Sequence, residues 1–325
     1  MFIMLASLGC GFEPQEERAN AVESANIALG RKDCDAAIEV LNSAPFSWDD
    51  ATFLRTLSLS HACKGKFDVF QLFQDIPNIF GSVSDSPLGG LSIFTASFDM
   101  ESPEDNDYVN VQTALNYLLY AGGIPTDEDP TPEKRDASFI RDDVAEIEML
   151  SLYQILTNLG RFLNYYGNVG TDGVKGNGGQ ANKCFLVYDD LPLQGTLIKL
   201  RDFFDIGLTG GCSKARAADS GHQYLYDANL GTRNISRLCE GAVLVNNFFT
   251  LLPRVLESIS GSEFNDINAI KTLLTLQLTL AEGYKPGLKD RVGDVLSKEL
   301  CVLKNANDDT FLQFYYAIVL EVLLK

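Results

Sequence analysis

The chain has 325 residues, 46% of them hydrophobic, and carries 44 acidic against 26 basic residues for a net charge of −18. That length and apolar share supply one large core or two ordinary ones, and they exclude wholesale disorder. So acidic a surface repels phosphate backbones, which argues against nucleic-acid binding and suits solubility, cations or basic partners.

Residues 1–9 are uncharged and end in Ala6-Ser7-Leu8-Gly9, directly before Cys10. An apolar run, then small residues, then a cysteine resembles the lipobox of bacterial lipoproteins. The resemblance implies a signal peptide over 1–9, acylation of Cys10 as the first mature residue, and a tether over 10–15. It places the protein in the bacterial cell envelope, held by lipid alone. Gly11 after Cys10 implies the outer membrane, facing the periplasm, if the cell is Gram-negative.

Ala21, Ala25, Ala28 and Leu29 recur at helical spacing and predict a helix over 16–30. A second helix starts at Cys34 and stops before Pro45, a third covers 49–63, and a fourth covers 67–75 before Pro77. Cys34-Asp35-Ala36-Ala37 aligns with Phe67-Asp68-Val69-Phe70 at an offset of 33, which also sets Ala25 and Ala28 on Ser58 and His61. Paired helices with a period near 34 resemble the tetratricopeptide repeat. The resemblance covers 16–77 and implies Ala25 and Ser58 as small contacts between helices. Ala37 matches the family's alanine and Gly65 its turn, whereas Phe70 and Lys32 depart from the pattern.

Gly81, Pro87, Gly89 and Gly90 interrupt 78–103, an irregular segment. Ser102-Pro103-Glu104-Asp105 then predicts the start of a helix over 103–121, with Val109, Ala114, Leu115, Leu118 and Leu119 on its apolar face. The acidic stretch 122–136 lacks the ligand spacing of a calcium loop and reads as a solvated loop at a subdomain boundary. From 137 to 165, Ile140, Val144, Ile147, Leu150, Ile155, Leu159 and Phe162 predict a central packing helix. The glycine-rich stretch 167–183 has no phosphate-binding motif and is expected to be a mobile loop closed off by Cys184.

Further helices are expected over 191–206, 213–228, 234–259, 264–282, 287–303 and 308–325, and no sheet. The apolar runs 241–253 and 311–324 are too short to span a bilayer and read as core helices. The fold class is therefore all-α: antiparallel helix pairs with tetratricopeptide-like repeats at the N-terminus, continuing into a helical bundle over 137–325.

Seven cysteines occur, and if Cys10 takes lipid the remaining six can pair in an oxidising compartment. A preference for near neighbours selects Cys34–Cys63, Cys184–Cys212 and Cys239–Cys301; buried free thiols remain the alternative. Only His61 and His222 are available as histidines, and neither belongs to a zinc, hydrolase or nucleotide motif. No catalytic residue, metal or cofactor is expected. The function these features suit is a lipid-anchored interaction scaffold for a protein or peptide partner. The alternative is a small-ligand carrier associated with a solute transporter, with Phe203, Phe204, Phe248, Phe249, Tyr315 and Tyr316 lining a pocket.

Overall fold

A computed structural model describes residues 13–68, 86, 88–93, 100–179, 182–195, 198–204, 212–214, 220–227, 232–258 and 265–324. The chain is mostly helical. Helices α1 (Pro14–Gly30), α2 (Cys34–Ser43) and α3 (Ala51–Lys64) fold back on one another around Ala21, Ala25, Ala37, Leu41, Phe53 and Leu57. The Asp33 and Asp50 carboxylates cap α2 and α3 by accepting from Ala36 N and Phe53 N.

Both α1 and α3 end in the same turn. Asp33 N donates to Ala28 O at 3.0 Å and Phe67 N to Ala62 O at 2.9 Å, and Lys32 and Lys66 take positive φ of 59° and 55°. This is the wrap-back C-cap in which a left-handed residue lets the following N–H reach a late carbonyl. The two turns therefore correspond at an offset of 34, one residue more than the sequence alignment. The expected fourth helix falls almost entirely outside the described residues, and Phe70 with it.

Helices α4 (Gly89–Ile93), α5 (Asn106–Leu119) and α6 (Pro132–Asp136) lead to α7 (Arg141–Gly167), against which α3, α4, α5 and α9 (Ile235–Ser258) pack. Two expected starts move. The Asp105 carboxylate caps α5 by accepting from Asp107 N at 2.9 Å, so the helix begins past Pro103. Ile140 precedes α7 at 70% exposure and is not on its buried face, and Val109 is likewise exposed on α5. All of 151–163 in α7 is buried, polar side chains included, because each finds a partner. Gln154 Nε2 donates to Ser58 Oγ at 2.8 Å, Asn158 Nδ2 to Tyr108 O at 3.2 Å, and Arg161 Nη2 to Gly65 O at 3.0 Å.

The second half departs further from expectation. Among the described residues of the helix expected over 191–206, only α8 (Leu200–Phe203) is helical, and Leu200 N bonds back to Leu191 O. Where a helix over 213–228 is expected, Gln223–Leu225 is a 3-10 turn, and β1 (Tyr226–Asp227) pairs antiparallel with β2 (Thr232–Arg233). The fold thus contains a small two-stranded sheet. Helix α9 is followed by α10 (Asn265–Tyr284), a π turn at Lys289–Gly293, and α11 (Lys298–Asn305). The run 287–303 divides because Ser297 Oγ accepts from Leu300 N and starts a new helix. Helix α12 (Thr310–Tyr315), a π segment at Tyr316–Leu320 and α13 (Glu321–Leu323) then form one buried rod.

Asn246 and Asn247, polar interruptions in an apolar run, are core residues. Asn246 Nδ2 donates to Val292 O and Val295 O at 2.7 and 2.8 Å, and its Oδ1 accepts from Tyr315 Oη at 2.6 Å. Asn247 Nδ2 donates to Leu296 O at 2.9 Å. The two amides thereby fix the chain between the π turn and α11 to α9. No helix among the described residues is long and apolar enough to cross a membrane.

Candidate functional site

Three disulfides join Cys34 to Cys63, Cys184 to Cys212 and Cys239 to Cys301. The first ties the start of α2 to the end of α3, the third ties α9 to α11, and the second closes onto the glycine-rich loop. Cys10 lies outside the described residues.

The glycine-rich loop, expected to be mobile, exposes Thr171, Asp172, Val174 and Asn177 but is tied to the core through Lys175. Lys175 is 2% exposed and its ammonium pairs with Glu321 of α13, itself fully buried. The other Glu321 oxygen accepts from Phe185 N at 2.8 Å and Tyr188 Oη at 2.7 Å. Asn168 Nδ2 and Asn182 Nδ2 donate to Asn182 O and Tyr166 O, so the loop's two ends are bonded to each other and to α7. Ligand atoms of Cys184, Cys212 and Glu321 lie within 4.8 Å of one another, the one such grouping among the described residues. Its sulfurs are bonded together and its carboxylate is engaged by Lys175, so the cluster is a structural clasp.

His222 is also interior, at 1% exposure, and not at the surface. Its Nδ1 accepts from Tyr224 N, capping the 3-10 turn, and Tyr165, Tyr166 and Tyr224 surround the ring. Burial pushes its pKa down to about 4. His61 is half-buried against Tyr117, with its pKa lowered by burial. The six aromatics considered as pocket lining are all buried. Phe204 meets Tyr188 and Phe248 meets Phe249 within the core, whereas Phe203, with Tyr284 and Phe314, also borders an apolar cleft of about 130 Å³.

In the cleft of about 420 Å³ beside Arg254, Arg254 bonds Glu148 and Asp136 at 2.8–3.0 Å, and Arg141 stands on the wall. A more open arrangement lies between α5 and α9. One cleft of about 340 Å³ and an adjoining one of about 100 Å³ share Gln112, Asn116, Glu240 and Lys298, and so form one groove. At its base the Glu240 carboxylate, 3% exposed, accepts from Tyr108 Oη at 2.7 Å, Lys298 Nζ at 2.6 Å and Arg237 Nη1 at 3.2 Å. Burial, and Glu240 after it, raise the Tyr108 pKa well above the phenolic value, so the hydroxyl stays a donor. Glu240 thereby holds Arg237 and Lys298 at one wall. Across from them Gln112 Nε2 donates to Asn116 Oδ1 at 3.2 Å, and Asn116 and Thr113 face the opening. The groove offers fixed donors and acceptors from α5 and α9, with Lys298 added from the start of α11, and no nucleophile–base pair. Sequence reasoning missed it, although a charged residue inside the apolar run Leu238–Val245 is a signal, since a buried carboxylate requires partners.

The class these features define is a mostly helical, disulfide-stapled protein with a polar groove between two helices. No protein family, curated protein or solved structure matches the chain.

Proposed function

We propose that the chain is a lipid-anchored bacterial envelope protein that binds a protein or peptide partner through the α5–α9 groove, without catalysis. The observation that carries the reading is the sulfur accounting: six of the seven cysteines are in disulfides, which suits an oxidising compartment, and Cys10 is the one left for acylation. The matching turns at Lys32 and Lys66 support a tetratricopeptide-like start to the stack. The groove supports a partner with an extended backbone, whose carbonyls suit the spare N–H groups of Arg237, Lys298 and Asn116.

The test places a photo-crosslinking side chain at Asn116, and separately at Glu39 on the exposed face of α2. A discrete adduct from Asn116 alone, together with loss of membrane association in Cys10→Ser, is the expected result. Identical adducts from both positions would contradict the groove. Unchanged membrane association in Cys10→Ser would contradict the anchor.

A further inference from the structure

The loop between α2 and α3 reads Ala44-Pro45-Phe46-Ser47-Trp48, and it lies at the end of the stack where the chain enters. Arg18, in the second turn of α1, donates from Nε to the Asp50 carboxylate at 2.9 Å and so fixes that loop beside the N-terminus of α1. Phe46 is 48% exposed, and its ring stands edge-on to Trp48 with centroids 4.9 Å apart. Trp48 is anchored from behind, its carbonyl accepting from Gly122 N at 2.9 Å. The loop therefore presents a preformed aromatic pair, one ring of which rests on Phe53 and Tyr117 with one face and leaves about half its surface to solvent.

Covalent reach says what covers it. Three residue steps separate Cys10 from Glu13, a span of at most about 11 Å. If Cys10 carries acyl chains, the start of α1 is held within that distance of the bilayer, and the Phe46–Trp48 loop is held with it. We propose that this end of the molecule docks on the membrane that holds the anchor, with Phe46 and Trp48 entering its zwitterionic headgroup layer. Aromatic rings with an apolar body suit that layer. Exposed Glu13, Glu16, Glu17 and Asp49 flank the loop, so an anionic surface would repel it. Docking sets the stack upright on the membrane and adds a second contact to the lipid anchor.

The inference rests on acylation of Cys10, and its test separates the two claims. Trp48 is the chain's single tryptophan, so its emission reports the loop alone. Native acylated protein is reconstituted in phosphatidylcholine vesicles with and without lipid spin-labelled on the acyl chain. The expected result is a blue-shifted Trp48 emission quenched by the spin label, with less quenching in Phe46→Ser and in vesicles enriched in phosphatidylglycerol. A reporter moved along α1, Ile27→Trp in a Trp48→Phe background, sits about 20 Å from the start of α1 and should not be quenched. Protein that floats with the vesicles while Trp48 ignores the quencher overturns the docking, keeps the anchor, and leaves the patch to a protein partner. Protein that neither floats nor carries an acyl adduct overturns both.

Discussion

Lys175 and Glu321, 146 residues apart, form an ion pair from which water is excluded, with side-chain exposures of 1% and 0%. The pair joins the glycine-rich loop to the C-terminal rod, and Phe185 N and Tyr188 Oη complete the carboxylate's partners. Removing one charge strands the other in the interior, at a cost of about 3–5 kcal/mol. Urea unfolding of Lys175→Met and of Glu321→Gln should each show a loss of that size. The double variant Lys175→Met/Glu321→Gln should lose less than their sum, because no orphaned charge remains. Full additivity would mean that the pair does not act as a unit.

His222 makes stability depend on pH. Its folded pKa, about 4, lies below the unfolded value near 6.5, so between those limits the unfolded chain binds more protons. The contribution is complete above about pH 6.5 and is lost as pH falls towards 4, in total about 3 kcal/mol. The unfolding midpoint in urea should fall more steeply over this range in the native chain than in His222→Gln. Equal slopes would assign the acid sensitivity to other groups.

Gly241 on α9 lies against Phe162 of α7, where an added Cβ would come within 2.4 Å of the ring and 2.5 Å of Tyr316 Oη. Both neighbours are fully buried and have no room to retreat. Gly241→Ala should therefore destabilise by about 1–3 kcal/mol despite the better helix propensity of alanine. A thermal midpoint unchanged or raised in this variant would mean that α7 and α9 pack less closely than described.

The disulfides should open in order of access. Cys34 and Cys63 are half-buried, whereas Cys184, Cys212, Cys239 and Cys301 are at most 2% exposed. Limited reduction followed by alkylation and peptide mapping should label Cys34 and Cys63 first. Removing Cys239–Cys301 should cost more than removing Cys34–Cys63, because it closes 62 residues against 29.

What the sequence makes legible is local. Helical spacing locates α1 to α3, α5, α7 and α9 to within a few residues, and near-neighbour cysteines in folded-back helices pair as their spacing suggests. What it conceals depends on distant partners. Glycines between 167 and 179 read as freedom, but Lys175 finds Glu321 at the other end of the chain. Asn246 and Asn247 read as interruptions until Val292, Val295 and Leu296 supply their carbonyl acceptors. Around Leu191 and Tyr226, apolar composition alone suggested helix, while backbone bonds from Leu200 to Leu191 and between β1 and β2 produce loops and a hairpin. The groove was hidden for the same reason, since Glu240 takes donors from Tyr108 and Lys298, on separate helices.

The most direct test of the account is the intact mass of the native protein before and after reduction and alkylation. The predicted result is a chain that starts at Cys10 with an acyl adduct and takes up alkyl groups at six cysteines only after reduction. A chain that retains Met1, carries no lipid and labels without reductant would contradict it.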